Sequence, residues 1–240
     1  MKATRWGRIL LVTLLMVVVM SPSLVWLYAQ EEAVPEGESR GFIEMIGGRP
    51  VPWLIMGLSV VMLARIIEHF VNVKRDKICP PEIVAEMESL IDEGNIDDAI
   101  SLATANPGFF TNIMAASLSK ANEGFDEMYR VMEETGNSEA IKLQEKISYL
   151  NMIGMIGPML GLLGTVTGMI AAFQVIEKLK SPRPGQLARG VYESLIATAL
   201  GLFVAIISLS FYYVFKNMVT RIIAEIGVIC GEFIAKFRPK

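Results

Sequence analysis

One stretch of the sequence is apolar enough to cross a membrane and yet unusually rich in glycine. It reads GPMLGLLGTVTGMI over residues 157–170 and lies in an apolar run over residues 147–176. As a helix, this run is long enough to cross the hydrocarbon core of a bilayer, roughly 30 Å. Its small residues recur every three or four positions and share one helix face. In lipid, such a face lets two helix backbones approach closely. The candidate packing residues are Gly157, Gly161, Gly164 and Gly168.

A second apolar run over residues 191–215 carries a matching face of small residues. Gly201 is the packing glycine of this face, and Ser194 and Thr198 add hydroxyl groups to it. Glu193 lies near the start of the run, where a carboxylate is costly and is by default a candidate functional group. The alternative is a glutamate that reaches the outer headgroups or pairs with Arg189.

A third apolar run, over residues 51–70, precedes these two. Lys74, Arg75 and Lys77 follow it and indicate a cytoplasmic exit by the positive-inside rule. Near its end, Arg65 and Glu68 are spaced to form an ion pair. His69 is the only histidine, and we expect it to be a snorkelling or capping group at the membrane boundary.

The remaining segments complete an all-α integral membrane protein with three transmembrane helices. Residues 1–29 resemble a signal peptide or an uncleaved anchor, because basic residues precede an apolar stretch. Apolar residues at helical spacing predict a helical cytoplasmic domain over residues 71–146, with an acidic solvated surface. The full order is a periplasmic lead-in at 30–50, spans at 51–70, 147–176 and 191–215, a periplasmic loop at 177–190 and a cytoplasmic tail at 216–240.

Composition excludes several classes of protein. The formal net charge is -3, so the composition shows no basic excess that would favour nucleic-acid binding. Cys79 and Cys230 form neither metal-ligand spacing nor a disulfide framework. We find no nucleophile and base pair, no phosphate-binding loop and no cofactor motif, so the sequence does not predict an enzyme.

Two stretches resemble the MotA/TolQ/ExbB proton channel family, most closely its ExbB and TolQ branch. They read YLNMIGMIGPMLGLLGTVTGMIAAF over residues 149–173 and GVYESLIATALGL over residues 190–202. The resemblance implies a homopentamer in the bacterial inner membrane, with an outer N-terminus and a single-span partner of the ExbD/TolR type. Such complexes use the proton motive force to energise transport or envelope processes. The family's membrane threonines fall on Thr165 and Thr198, and its membrane glutamate falls on Glu193.

The residues themselves leave alternatives open. Thr165, Thr167, Ser194, Thr198 and Glu193 could form an ion path, but hydroxyls do not titrate at physiological pH. A partner with a membrane carboxylate would then supply the proton carrier. A structural scaffold that only packs helices is the second interpretation, and a subunit like those of the flagellar stator is a third. In the first case, we expect the small-residue faces to line a central space, with Thr165 and Thr198 at depths that agree within roughly 6 Å.

Overall fold

A computed structural model describes residues 50–178 and 184–238, apart from the side chains of Pro184, Gln186, Leu187 and Arg189. Within these ranges the chain forms helices and contains no β-strand. The leader and the lead-in predicted over residues 1–49 lie outside the described residues, as do residues 179–183 of the predicted loop. The prediction of an all-α fold is confirmed.

The first helix, α1, runs from Pro50 to Asn72 and is apolar on every side. It begins with a proline, which lacks the N–H that a first helical residue leaves unpaired anyway. One stripe of the helix, formed by Val51, Ile55, Met62 and Ile66, is buried against the rest of the chain. The side chains of Trp53, Leu54, Val60, Val61 and Ile67 are exposed. An apolar helix with large exposed apolar side chains suits a lipid environment.

Four short helices follow, in the segment for which the sequence predicts helices. They are α2 (Arg75–Ile78), α3 (Pro81–Asp92), α4 (Ile96–Ala105) and α5 (Phe109–Leu118). Gly94 after α3 and Gly124 after a short 3-10 turn (Ala121–Glu123) have φ angles of 80° and 102°, which favour glycine. α5 is buried along nearly its whole length and forms the centre of this helical domain.

Two long helices dominate the molecule. α6 runs over 54 residues from Phe125 to Lys178, and α7 runs over 52 residues from Pro184 to Ala235. At 1.5 Å per residue each is about 80 Å long, far more than a bilayer core requires. Each helix therefore has an apolar part that can cross a membrane and a second part that packs with the short helices. The prediction that the second and third spans continue as long helices is confirmed.

α6 and α7 run antiparallel and side by side. Gly190 near the start of α7 lies against Ala172 of α6, whereas Leu209 lies against Gly154. Beyond the apolar parts, Phe233 of α7 contacts Phe110 of α5 at 5.8 Å between ring centroids. Exposed ion pairs join Arg75 to Glu225 and Lys236 to Asp92. The helical domain is therefore assembled on the ends of the same two helices.

Three helices among the described residues are long and apolar enough to cross a membrane. They are α1, α6 and the part of α7 from Gly190 onward. Arg65 and Glu68 near the end of α1 form the expected ion pair at 2.8 Å. The architecture of three apolar helices joined to a helical domain agrees with the sequence-based prediction.

Candidate functional site

α6 and α7 approach each other most closely at Gly157 and Gly201. A methyl group on Gly157 would lie 2.8 Å from the carbonyl oxygen of Gly201, and one on Gly201 would lie 2.5 Å from the carbonyl oxygen of Gly157. Cβ atoms essentially never lie that close to another heavy atom. Because the obstructing atoms belong to backbone, they cannot rotate away. Only glycine permits this contact, as in other closely packed membrane helices.

The contact continues along the same face of α6. A methyl on Gly161 would lie 2.9 Å from the Cα atom of Thr198, and one on Gly164 would lie 2.5 Å from the Cβ atom of Ala197. Gly168 is buried as well. All the glycines that the sequence assigned to helix packing therefore lie buried in this part of the molecule.

This geometry corrects one expectation about the small-residue faces. We expected them to line a central space, but the glycines of α6 and α7 are covered by each other within one chain. The physical reason is that two complementary small-residue faces on adjacent antiparallel helices gain the most contact by meeting directly. The side chains left at the margins of this contact, rather than the glycines, remain available to a neighbouring chain.

Two hydroxyl groups cross from α7 to the backbone of α6. Thr198 Oγ1 donates a hydrogen bond to the carbonyl oxygen of Gly161 at 3.0 Å, and Ser208 Oγ donates one to the carbonyl oxygen of Leu150 at 2.6 Å. In lipid, such bonds contribute about 0.6 kcal/mol each on average. Helical spacing in the sequence places Ser208 on the same small-residue face as Thr198 and Gly201, and the structure adds its hydrogen bond across to α6.

The other predicted hydroxyls bond within their own helices. Thr165 Oγ1 donates to the carbonyl oxygen of Leu162 at 2.7 Å, and Ser194 Oγ donates to that of Val191 at 2.6 Å. Thr167 Oγ1 lies 2.9 Å from the carbonyl oxygen of Leu163. Each hydroxyl keeps its oxygen lone pairs as acceptors after donating its hydrogen. Ser194 is buried, Thr165 is half-buried and Thr167 is exposed.

The register of the two helices places Thr165 within about one helical turn of Glu193 and Ser194 in depth. Gly164 meets Ala197, and Gly190 meets Ala172 one turn beyond Gly168. Thr165 lies between these contacts on α6, and residues 193–194 lie between them on α7. Thr198 is level with Gly161, one helical turn or about 6 Å from Thr165.

Glu193 is half-buried at this level of α7. The side chain of Arg189, the alternative ion-pair partner for Glu193, lies outside the described residues. A layer that holds a carboxylate and two hydroxyls can bind water and exchange protons with it.

His69 is buried, so the expectation that it snorkels or caps at the boundary is wrong. Its residue surface is only 3% exposed, and its ring packs edge-on against Phe215 at 5.4 Å between centroids. The imidazole is hydrogen-bonded to the backbone of Lys146, while Nε2 has no hydrogen-bond partner among the described residues. Phe70 and Phe211 extend this aromatic cluster, which covers the end of α1.

No group of three His, Cys, Asp or Glu side chains in the described part of the chain is arranged to hold a metal ion. Cys79 and Cys230 are both free thiols and both buried. Burial raises the pKa of the Cys79 thiol, and the nearby Arg75 guanidinium opposes this only in part. Cys79 therefore has the character of a packed apolar side chain rather than that of a reactive thiolate.

Known proteins resemble this chain over part of its length. The TolQ protein of the Tol-Pal system of Haemophilus influenzae is 34% identical over 104 residues, which are 43% of this chain and 46% of that protein. The biopolymer transport protein ExbB of Salmonella typhimurium is 25% identical over 190 residues, 72% of each chain. The ExbB protein of Xanthomonas campestris is 34% identical over 115 residues, 48% of this chain and 44% of that protein. The aligned part thus spans less than half of two of these relatives.

The family described as the MotA/TolQ/ExbB proton channel family matches residues 104–227, just over half of the chain. This segment contains α5, all of α6 and most of α7, and hence the glycine contact and the layer at Thr165 and Glu193. The extent of the match and the names of the relatives agree with the resemblance found in the sequence. The chain therefore belongs to the MotA/TolQ/ExbB proton channel family, on its ExbB and TolQ branch.

Proposed function

We propose that this protein is the proton-channel subunit of an ExbB/TolQ-type motor in the bacterial inner membrane. A single-span partner of the ExbD/TolR type completes the channel, and the complex uses the proton motive force to energise transport or envelope processes. The relatives named as biopolymer transport and Tol-Pal proteins support a function in transport or envelope processes. The protein acts as a channel subunit and not as an enzyme.

One observation carries the proposal. The layer formed by Thr165, Glu193 and Ser194 offers hydroxyls and one carboxylate at the margin of the glycine contact. Elsewhere in residues 147–176 and 191–215 the sequence contains no Asp, Glu, His, Lys or Arg. A proton cannot cross the rest of the hydrocarbon core without a titratable group or ordered water. In this proposal, a carboxylate from another chain supplies the carrier.

The proposed assembly is a homopentamer around the partner helices. Residues 71–146 and the tail at 216–240 lie in the cytoplasm, and residues 177–190 form a periplasmic loop. Glu193 then lies towards the periplasm, where it admits protons, and Thr165, Thr167 and Thr198 border the path of the partner carboxylate. Each proton that crosses 100 mV releases about 2.3 kcal/mol, so a few protons suffice for a mechanical step.

Reconstitution into liposomes tests this proposal. The full chain is combined with a candidate single-span protein that carries a membrane aspartate, and a potassium gradient imposes the membrane potential. We expect proton uptake, measured with an internal pH dye, from the two proteins together and not from either alone. Changing the partner's membrane aspartate to asparagine should abolish uptake. Equal proton uptake by the chain alone would contradict the need for a partner.

A structural scaffold is the second candidate, and the hydrogen bonds favour it. The hydroxyls of Thr165, Thr167 and Ser194 all donate to carbonyl groups of their own helices, and that of Thr198 ties α7 to α6. Each of these bonds could serve packing alone. If the protein is a scaffold, the partner should bind without any proton uptake. Glu193→Gln should then leave transport that depends on the proton motive force unchanged in cells.

A further inference from the structure

A polar cavity of about 520 Å³ lies beside α6, where its apolar part meets its soluble part. The walls are the α6 side chains from Glu139 to Tyr149 and the start of α5, including Asn112. Its volume falls in the range of small-molecule sites, about 300–1,000 Å³. The proposed ion path uses none of these residues.

The charges on the cavity wall are only partly neutralised. Lys142 Nζ lies 2.6 Å from a carboxylate oxygen of Glu139, whose side chain is only 14% exposed. The charges of these two side chains therefore neutralise each other. Glu145 and Lys146 also line the cavity, and their charged groups have no ion pair with another described side chain. The wall therefore presents one carboxylate and one ammonium group to whatever occupies the cavity.

The surroundings of the cavity are those of a membrane boundary. The guanidinium of Arg65, near the end of α1, lies 4.9 Å from the centre of the Tyr149 ring. Tyrosine and arginine side chains are typical of the headgroup level of a bilayer. One and two turns further along α6, Met152 and Met155 are about half exposed and apolar. A molecule in the cavity would therefore have polar groups on one side and a hydrocarbon surface on the other.

We propose that this cavity binds the headgroup of a phospholipid of the phosphatidylethanolamine type. Lys146 and the Asn112 amide bind the phosphate, Glu145 accepts hydrogen bonds from the primary ammonium group, and the acyl chains lie along Met152 and Met155. An anionic headgroup without an ammonium would leave the Glu145 carboxylate facing like charge. A choline headgroup fits less well, because its quaternary ammonium has no N–H to donate.

Native mass spectrometry of the full chain in detergent tests the site. Equal concentrations of phosphatidylethanolamine, phosphatidylcholine, phosphatidylglycerol and free phosphoethanolamine are compared. The variants are Lys146→Gln and Glu145→Gln. Lys216→Gln is the control, because Lys216 is likewise an exposed lysine, with its Nζ 5.9 Å from the centre of the Tyr212 ring, but does not line the cavity.

We expect phosphatidylethanolamine to be retained best and Lys146→Gln to reduce its retention by about fivefold, if its contact with the phosphate is comparable to that of one lysine at an anionic membrane surface. Glu145→Gln should remove the preference for ethanolamine over choline, and Lys216→Gln should change neither quantity. Equal losses in Lys146→Gln and Lys216→Gln would show nonspecific annular lipid and overturn the proposal. Preference for phosphatidylglycerol, displacement of lipid by phosphoethanolamine, or a cavity filled by a second copy without retained lipid would overturn it as well.

Discussion

The apolar parts of α6 and α7 and the helical domain at their other ends are packed in opposite ways. In the first region, glycines bring two backbones into contact, and the closest atoms at Gly157 and Gly201 are carbonyl oxygens. In the second region, large side chains such as Phe110, Met114 and Phe233 fill the space between helices. In water, burial of apolar area stabilises helix packing, whereas in lipid close contact and hydrogen bonds must do so. One region should therefore be sensitive to added volume and the other to lost volume.

The largest effect is expected from removing volume in the helical domain. Phe110 is fully buried, and Phe110→Ala should lower the free energy of unfolding by about 3–5 kcal/mol. The surrounding helices cannot fully close the void that the missing ring would leave. Equilibrium unfolding of the purified protein in detergent measures this. Ile141→Ala is the control, because Ile141 is 56% exposed and should change stability by less than about 0.5 kcal/mol. Similar effects of both changes would contradict a packed domain core.

Adding a single methyl group to the glycine contact should have the next largest effect. Gly201→Ala should destabilise the protein by about 1–3 kcal/mol, since the new Cβ would meet the Gly157 carbonyl. Gly227→Ala, in the same helix, has nothing within 4 Å of its new Cβ and should gain up to about 1 kcal/mol from helix propensity. In the same unfolding assay, the two changes in the free energy of unfolding should have opposite signs. Changes of equal sign would argue against the contact.

A smaller effect separates the two membrane threonines. Thr198→Val removes the hydrogen bond to Gly161 and should cost about 0.6 kcal/mol of stability, whereas Thr165→Val removes only a bond within its own helix. If the proposed ion path is right, Thr165→Val should nonetheless abolish proton uptake in liposomes while leaving assembly intact. Full proton uptake by both variants would show that these threonines serve packing alone.

The smallest effect is on reactivity rather than stability. Burial raises the pKa of the Cys79 thiol, so the reactive thiolate should be scarce at neutral pH and should increase only at pH values above the ordinary range of cysteine. In a Cys230→Ser background, maleimide labelling of Cys79 should be much slower than that of a thiol introduced by Ser119→Cys at an exposed position. Equal labelling rates would show that the helical domain opens readily around α2.

Much of the fold could be predicted from the sequence because its signals are local. Helical spacing of apolar residues indicated α3, α4 and α5 but not the four-residue α2, and the length of the apolar runs indicated the three candidate spans. The glycines at 157, 161, 164, 168 and 201 were likewise recognisable as a packing face. The membrane orientation, the cleavage of the leader and the pentamer remain predictions.

The site was predicted less completely, since it depends on which faces meet. Spacing alone could not show that the glycine faces of α6 and α7 cover each other, nor that Thr165 lies within about one helical turn of Glu193 in depth. His69 was misjudged for the same reason, because Phe215, which packs against its ring, lies far away in sequence.

The sequence by itself determined the helices, the membrane-crossing segments and the family, because helix periodicity, hydrophobic length and motif spacing are properties of contiguous residues. Only the tertiary structure decided the register of α6 against α7, the burial of His69 and the cavity at Lys146. The register depends on the backbone contact at Gly157 and Gly201, which only the absence of two side chains permits, whereas the burial of His69 and the cavity depend on which elements distant in sequence pack together.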